Sequence, residues 1–459
     1  MGRVTNNFGS EMISSISVQG FKSFKNLDDF PLRSLNILIG PNRSGKTNFL
    51  DFWDFLSEAG RQGLAHAIAK RGGLNNILSW NGAERMSFRC GLDIESEIGS
   101  SAIRKEGYYL VGITKSSPTG AVDNERYSID TEKLVDAMYV DESSLEPISD
   151  PLDRDLRDSF GVKSYRIRSS DLAINQIRDA IQDPVLNRLQ SILANIAVHS
   201  SFDSRQNSPI RSAQAISAHP HTRLSRNGDN LSNVLHHLHN QPQYRDFCDA
   251  LLFTLRRAFS SFEEIVFPTN LGQGKTLLAW KDKNFPKREI TANLLSDGLI
   301  HFLCLLAALY DPEPPTLLCL DNPEVSLHPQ LIHLLASVLE EASARMQIIV
   351  ATHSTELISH LNNVEDVIVV EEEEGWSKLN RLSQKDLAHW LKEYSFSELW
   401  KSGEIGGRSE ANLYETPLDK SKEHKEQIRR RRREFKVEAF DLGGEVTIDR
   451  DDLYAERGL

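Results

Sequence analysis

The octapeptide GPNRSGKT, Gly40 to Thr47, has residue types and spacing that imply chemistry directly. It fits the pattern G-x-x-x-x-G-K-[ST], the Walker A phosphate loop. Gly40 and Gly45 let the backbone close around an anion, while main-chain N–H groups and a helix N-terminus face it. Lys46 can then reach the outer phosphate oxygens of ATP, and Thr47 can offer an oxygen to Mg²⁺. A loop of this kind needs an acidic partner for the metal. TLLCLDNPE, Thr316 to Glu324, supplies one, because its apolar run ends in Asp321. Alone, such a string is ambiguous, since helix caps produce it too. Coupled to a phosphate loop, Asp321 reads as the metal-side carboxylate at the carboxyl end of a strand.

The elements that must position these residues are legible as alternations of strand and helix. Leu35 to Ile39 is a short β-branched strand that ends in the glycine loop, and the residues from Thr47 carry a helical spacing of Phe49, Leu50, Phe52, Trp53 and Leu56. Ile13 to Val18 is a further strand. From about residue 85 the stretches MSFRCGLDIE, YYLVGIT and RYSID predict antiparallel strands, followed by helical and loop segments such as Pro184 to Ile196 and Leu231 to Ser260. The last third predicts a helix over Leu295 to Tyr310, a buried strand over Thr316 to Leu320 and a helix over Leu331 to Ala344. Buried strands follow over Gln347 to Ala351 and Asp366 to Val370. Helices alternating with wholly apolar strands mark a mostly parallel, two-sided sheet. No heptad pattern is sustained, so no long coiled coil is expected.

With these elements in place, several segments resemble ABC-type ATPase heads of the SMC/RecF kind. They are QGFKSFKNL (Gln19 to Leu27) ahead of GPNRSGKTN, LLSDGL (Leu294 to Leu299), LDNPEVSLHPQ (Leu320 to Gln330) and ATHSTEL (Ala351 to Leu357). NGDNLSNVL (Asn227 to Leu235) and YSFSELWKSGEIGGR (Tyr394 to Arg408) resemble the narrower group of bacterial RecF-like ATPases related to OLD-family heads, several of them in phage-defence systems. The resemblance implies a nucleotide loop of Gly40, Asn42, Gly45, Lys46 and Thr47, with Thr47 and Asp321 on the metal. It also implies that Ser296 and Gly298 form a signature motif capping ATP on the opposite protomer. His353 matches a switch histidine at the γ-phosphate, and Ser326 to His328 match a dimer-contacting loop. ATP and Mg²⁺ are the implied ligands, and a head-to-tail homodimer or higher homo-oligomer is the implied assembly.

One position departs from that family. Its strand usually ends in Asp-Glu, the Glu polarising the attacking water, whereas Asn322 follows Asp321 here. An amide cannot accept that proton, and general-base assistance is typically worth about 10² to 10⁴ in rate. Glu324 is the nearby carboxylate that could replace it. Two readings follow: slow turnover with ATP acting mainly as a dimer clamp, or normal hydrolysis through Glu324.

Composition bounds the rest. The chain has 459 residues with 39% hydrophobic and 26% charged, an ordinary globular balance. Its longest apolar run, near Leu299 to Leu309, is far short of the roughly 20 residues of a bilayer span, and its N-terminus lacks a secretory pattern. A cytoplasmic, reduced protein with no membrane partner is expected. Net charge is −12, from 53 Lys+Arg against 65 Asp+Glu, which argues against coating by nucleic acid over the whole surface. Arg429 to Arg433 could contact phosphates or form a solvated helix. The four cysteines do not pair at zinc-ligand spacing, and Trp390 and Trp400 read as packing residues. About 45 residues remain after Tyr414, too few for an appended nuclease domain on the usual domain scale.

The expected fold class is therefore α/β: an ABC-type P-loop ATPase head, with a mostly parallel sheet, an antiparallel β subdomain and a helical insertion. The expected divisions are 12–90 with the phosphate loop, 91–290 with strands and insertion, 291–413 with the signature, Asp321 and switch His353, and a charged extension over 414–459. The resemblance favours the ATPase, sensor or regulator subunit of an anti-phage defence system whose effector, a nuclease or toxin, is another chain. A RecF-like DNA-repair ATPase and an ATP-assembled scaffold are the alternatives, so nucleic acid remains an open partner.

Overall fold

The computed structural model describes residues 11–79, 82–98, 101–115, 120–129, 134–140, 163–168, 170–176, 184–200, 202–216, 223–268, 274–387 and 399. By contacts the chain separates into Met1–Asn412 and Leu413–Leu459, and every described residue belongs to the first unit. Trp390, Trp400 and Arg429 to Arg433 lie outside the described residues, as does Tyr394 to Arg408 apart from Leu399.

Two sheets organise the molecule. The first has six strands in the order Trp376–Arg381, Val367–Glu373, Leu35–Ile39, Gln347–Ala351, Leu317–Asp321 and Ile196–His199. All neighbours run parallel except the hairpin of the first two. Leu35–Ile39 and Gln347–Ala351 are buried at every position, because helices cover a parallel sheet on both faces and leave no solvent side. The second sheet has seven strands in the order Phe24–Pro31, Glu11–Phe21, Arg85–Ile98, Ser101–Thr114, Ala121–Ile129, Leu134–Val140 and Lys163–Arg168. It is antiparallel apart from its last pair. Gln347 stitches the two sheets together: its Oε1 accepts from Ile13 N at 3.2 Å and its Nε2 donates to Ile13 O at 2.8 Å and Arg33 O at 3.0 Å.

Between the sheets runs the helix Lys46–Gln62, at 17 residues the longest among the described residues. Phe49, Phe52, Trp53 and Phe55 are fully buried, and their rings meet Phe21, Phe24 and Phe88 edge-on or tilted at 5.4 to 6.2 Å. Each such ring removed from water stabilises by about 1.5 to 3 kcal/mol, which fixes the helix that begins in the glycine loop.

Periodicity placed most of the elements it named within two or three residues, but YYLVGIT and RYSID fall in the later parts of strands that begin at Ser101 and Ala121, and Phe24–Pro31, Leu134–Val140 and Lys163–Arg168 were not named. It differed at Ile196, read as the end of a helix. The helix is Pro184–Ala194, and Ile196–His199 is the edge strand of the parallel sheet. Three apolar residues and a histidine, one residue after a helix, carry no period of their own, so tertiary pairing with Leu317–Leu320 decides their state. The predicted helical stretch Leu231 to Ser260 is two helices, Leu231–Asn240 and Arg245–Ala258, broken at Pro242. NGDN is a turn: Asn230 Oδ1 accepts from Ser225 N at 2.7 Å, Asn230 Nδ2 donates to Arg223 O at 3.0 Å, and Gly228 holds φ 79°. Arg226 beside it pairs with the buried Asp54 of the long helix, tying this turn to the phosphate-loop helix.

Candidate functional site

Three parallel strands deliver the site. Gly40 follows Ile39, Asp321 ends its own strand, and Thr352 and His353 follow Ala351. Register locks these ends side by side: Asp321 pairs with Ala351, Asn322 N donates to Ala351 O at 2.7 Å, and Thr352 N donates to Leu38 O at 3.0 Å. Carboxyl ends of parallel strands are where an open α/β sheet leaves room for a ligand.

The loop itself is built for an anion. Gly45 caps the long helix with φ 109°, and a Cβ there would overlap the Ser377 hydroxyl; one on Gly40 would overlap Val370 O. Lys46 is 6% exposed, and its Nζ donates to Gly40 O and Pro41 O, both at 2.8 Å. Those carbonyls hold the ammonium over the loop, where it can move onto a phosphate. Burial, opposed by the neighbouring Asp321, pulls the Lys46 ammonium down to about 8. Asn42 is exposed on the loop.

Thr47 Oγ1 donates to Asp321 Oδ2 at 3.3 Å, so the two oxygens expected to hold Mg²⁺ stand together. Burial pushes the Asp321 carboxyl up from its ordinary range, with Glu324 adding to the rise, against Thr47 and Lys46. A bound divalent cation would reverse that, since it favours the ionised carboxylate. The adjoining Thr47 and Asp321 oxygens beside the buried Lys46 ammonium therefore fit a nucleotide with its metal.

Around this pair sit the remaining candidates. Asn322 has φ 50°, and its amide donates to Asp321 Oδ1 at 2.9 Å, orienting that carboxylate. Glu324 Oε1 accepts from Thr352 Oγ1 at 2.6 Å and from His353 N at 3.2 Å. Glu324 Oε2 is buried and has no hydrogen-bond partner. Burial, with Lys46 nearby, lowers the His353 imidazole, so at neutral pH it is uncharged. Glu324 thus joins the loop after Asp321 to Thr352 and His353.

Ser296 and Gly298 belong to another surface. Ser296 caps the helix Asp297–Leu309 by accepting from Leu299 N at 3.3 Å, and a Cβ on Gly298 would stand 2.5 Å from Ser326 O. The loop that begins at Asn322 therefore touches Thr352 and His353 through Glu324 and Gly298 through Ser326. His301 reinforces it: a carbonyl only accepts, so His301 Nε2 carries the hydrogen of its 2.9 Å bond to Pro323 O. Leu294 and Val325 flank this surface, 59% and 55% exposed.

Sequence reasoning missed Arg211, which has no motif around it. It is 4% exposed and holds the segment Ala292 to Asp297, which contains Ser296. Its Nη1 donates to Ala292 O at 2.8 Å and Leu295 O at 2.6 Å, its Nη2 to Asp297 at 2.5 Å, and its Nε to Ser204 O at 2.7 Å. Arg211→Leu is expected to destabilise the protein by about 2 to 3 kcal/mol, because those buried carbonyls lose their donor. Urea unfolding measures it, and a midpoint equal to wild type contradicts the assignment.

A glycine loop that opens a helix, a carboxylate at the end of one parallel strand and a histidine just after its neighbour are the arrangement of a P-loop ATPase. Residues 35–359 match the family described as "AAA domain, putative AbiEii toxin, Type IV TA system", and the chain belongs to that family. Among solved structures it is similar to the SMC head domain from Thermotoga maritima, at 14% identity over 81% of this chain and 99% of that one, with TM-score 0.41. It is also similar to the Smc head domain of Pyrococcus furiosus bound to the C-terminal domain of ScpA, at 13% identity over 83% and 99%, with TM-score 0.48. No curated protein matches the chain. No helix among the described residues is long and apolar enough to cross a membrane.

The lowered Lys46 sets a pH dependence for nucleotide binding. An anion binds the ammonium form, so affinity is flat while free Lys46 is protonated and falls as it loses its proton. From about pH 7 affinity should hold, then weaken above about pH 8 towards tenfold per unit. Fluorescent-nucleotide titrations between about pH 7 and 9.5 test this, and a flat profile to the upper end counts against it.

Proposed function

We propose that the protein is an ATP-dependent clamp: two copies close head-to-tail on ATP, and the closed state acts on an effector carried by another chain. The observation that carries this reading is the single loop from Asn322 to His328, which bonds the switch position through Glu324 and abuts Gly298 through Ser326. A change at the nucleotide is thereby coupled to the surface where a second copy would dock. Lys46, Gly40, Asn42, Gly45 and Thr47 hold the triphosphate; Thr47 and Asp321 hold Mg²⁺, which neutralises phosphate charge. Ser296 and Gly298 cap the ATP of the partner copy. Exposed Leu294 and Val325 beside them are apolar contacts available to that copy.

Hydrolysis in this reading is slow, because Asn322 orients Asp321 and accepts no proton. Residual turnover runs through Glu324, with His353 at the γ-phosphate. The biological role is that of sensor and regulator in a cytoplasmic anti-phage system, supported by the toxin–antitoxin wording of the family description. Size-exclusion chromatography with light scattering, with and without ATP and Mg²⁺, tests the clamp. ATP should double the mass of wild type but not of Lys46→Ala or Ser296→Arg. A mass that ignores ATP removes the proposal.

A further inference from the structure

Away from the nucleotide site, the strands Ala279–Asp282 and Glu289–Thr291 are joined by the turn KNFPKR, which contains no acid. Phe285 in this turn is 61% exposed, and Lys283, Lys287 and Arg288 around it are exposed too. The turn is well formed: Phe285 N donates to Asp282 O and Arg288 N to Phe285 O, both at 2.9 Å, and Asn284 N donates to Asp282 Oδ1 at 2.8 Å. It is also pinned to the end of the helix Arg245–Ala258. Lys283 N donates to Ser261 O at 2.8 Å, Lys283 Nζ to Ser260 O at 3.0 Å, and the Phe259 and Trp280 rings meet at 5.3 Å.

Arg256 and Arg257, both exposed, lie in the last turn of that helix, in a stretch 251–261 that likewise has no acid. Arg257 also borders a cleft of about 230 Å³ shared with Gln330 and His333. The acids at the hairpin base are engaged elsewhere. Glu264 pairs with Lys281 at 3.6 Å, and Asp282 accepts from Ser261 Oγ at 2.7 Å. Glu263 and Glu289 are the other acids nearby, so cations outnumber them on this surface.

We propose that this surface docks single-stranded nucleic acid, with Phe285 stacking on a base and Arg256, Arg257, Lys287 and Arg288 contacting phosphates. An aromatic face set among cations is what sequence-tolerant single-strand binding uses. A duplex hides its base faces, and an acidic peptide has no use for an isolated exposed ring. The net charge of −12 repels nucleic acid over the body of the protein, which confines binding to this local excess of positive charge. Nothing here depends on the ATP reading.

Fluorescence anisotropy on the full chain tests it, with labelled oligothymidine, oligouridine and a duplex of about 20 nucleotides. The comparison is made with Arg429 to Arg433 intact and with all five replaced by Gln, so that tail binding is separated from hairpin binding. Single strands should bind more tightly than duplex in both backgrounds; the tighter of the two strands identifies DNA or RNA as the source. Phe285→Ala should weaken binding about tenfold with little change in salt dependence. Lys287→Gln with Arg288→Gln should lower the salt slope by about 1.4, or 0.7 per lost phosphate contact. Binding unchanged in these variants, binding lost with the tail arginines alone, duplex preferred over single strands, or polyglutamate bound more tightly than either oligonucleotide would each overturn the proposal.

Discussion

Glu324→Gln is expected to take the slow residual ATP turnover down to background, a loss of about 10² at the low end of general-base assistance, while leaving nucleotide affinity nearly unchanged. One carboxylate oxygen is fixed by the Thr352 hydroxyl at 2.6 Å and the His353 amide at 3.2 Å. The other is buried without a hydrogen-bond partner among the protein atoms, which leaves its lone pairs open to a ligand or an attacking water. Asn322 cannot substitute, because its amide is committed to Asp321 Oδ1 and has no basic atom to offer. The complementary variant, Asn322→Glu, puts a carboxylate next to the metal-side Asp321 and is expected to raise turnover. Gln at 324 keeps the size and one acceptor oxygen, so the Thr352 bond survives and binding is spared. Turnover that is brisk in wild type and indifferent to Glu324→Gln would remove Glu324 from the chemistry. A wild-type rate already at background would leave ATP as a clamp ligand alone.

Much of this site was legible because its parts are local in sequence. GPNRSGKT contains its own glycines, lysine and hydroxyl, and the strand before it ends where the glycine begins. LLCLD is a run of buried strand residues with one carboxylate at its end, and QIIVA-THS is another buried strand with its polar residues directly after it. Such strings are readable because a two-sided parallel sheet forces continuous apolar strands and collects function at their ends.

What was not legible depends on contacts distant in sequence. Arg211 stands more than eighty residues before Asp297, and only folding brings its guanidinium under the signature turn. The role of Glu324 turns on Thr352, twenty-eight positions away. Asp54 looks like a polar position in an amphipathic helix, yet it is buried with Arg71 and Arg226. In each case a buried charge is satisfied by a partner that no window of the sequence contains. The antiparallel sheet shows the same limit, since Phe24–Pro31 pairs with Glu11–Phe21 through a tight turn at Lys22 with φ 45°, and its alternation is broken by a register shift.

Gly45→Ala is expected to weaken ATP binding on the order of 10- to 100-fold. The φ of 109° alone is a conformation that costs an L residue about 1 to 3 kcal/mol. Space adds to it, for a Cβ would overlap the Ser377 hydroxyl and stand 2.9 Å from Ser23 Oγ. Those hydroxyls are not free to retreat. Ser44 O only accepts, so Ser377 Oγ donates to it at 2.6 Å; Ser23 Oγ must then donate to Ser377 Oγ at 2.7 Å while accepting from Asn48 Nδ2 at 2.8 Å. This chain of bonds holds the loop backbone at Ser44, next to the amides of Lys46 and Thr47 that would face the phosphates. A methyl group at 45 therefore displaces the loop instead of the serines. Fluorescent-nucleotide affinities in a double-mutant cycle with Ser377→Gly separate the two causes. If crowding against Ser377 dominates, the double variant recovers much of the affinity lost by Gly45→Ala; if backbone strain dominates, it recovers none. Gly45→Ala binding ATP as wild type does would show that this loop does not hold the phosphates, and the nucleotide site would have to lie elsewhere.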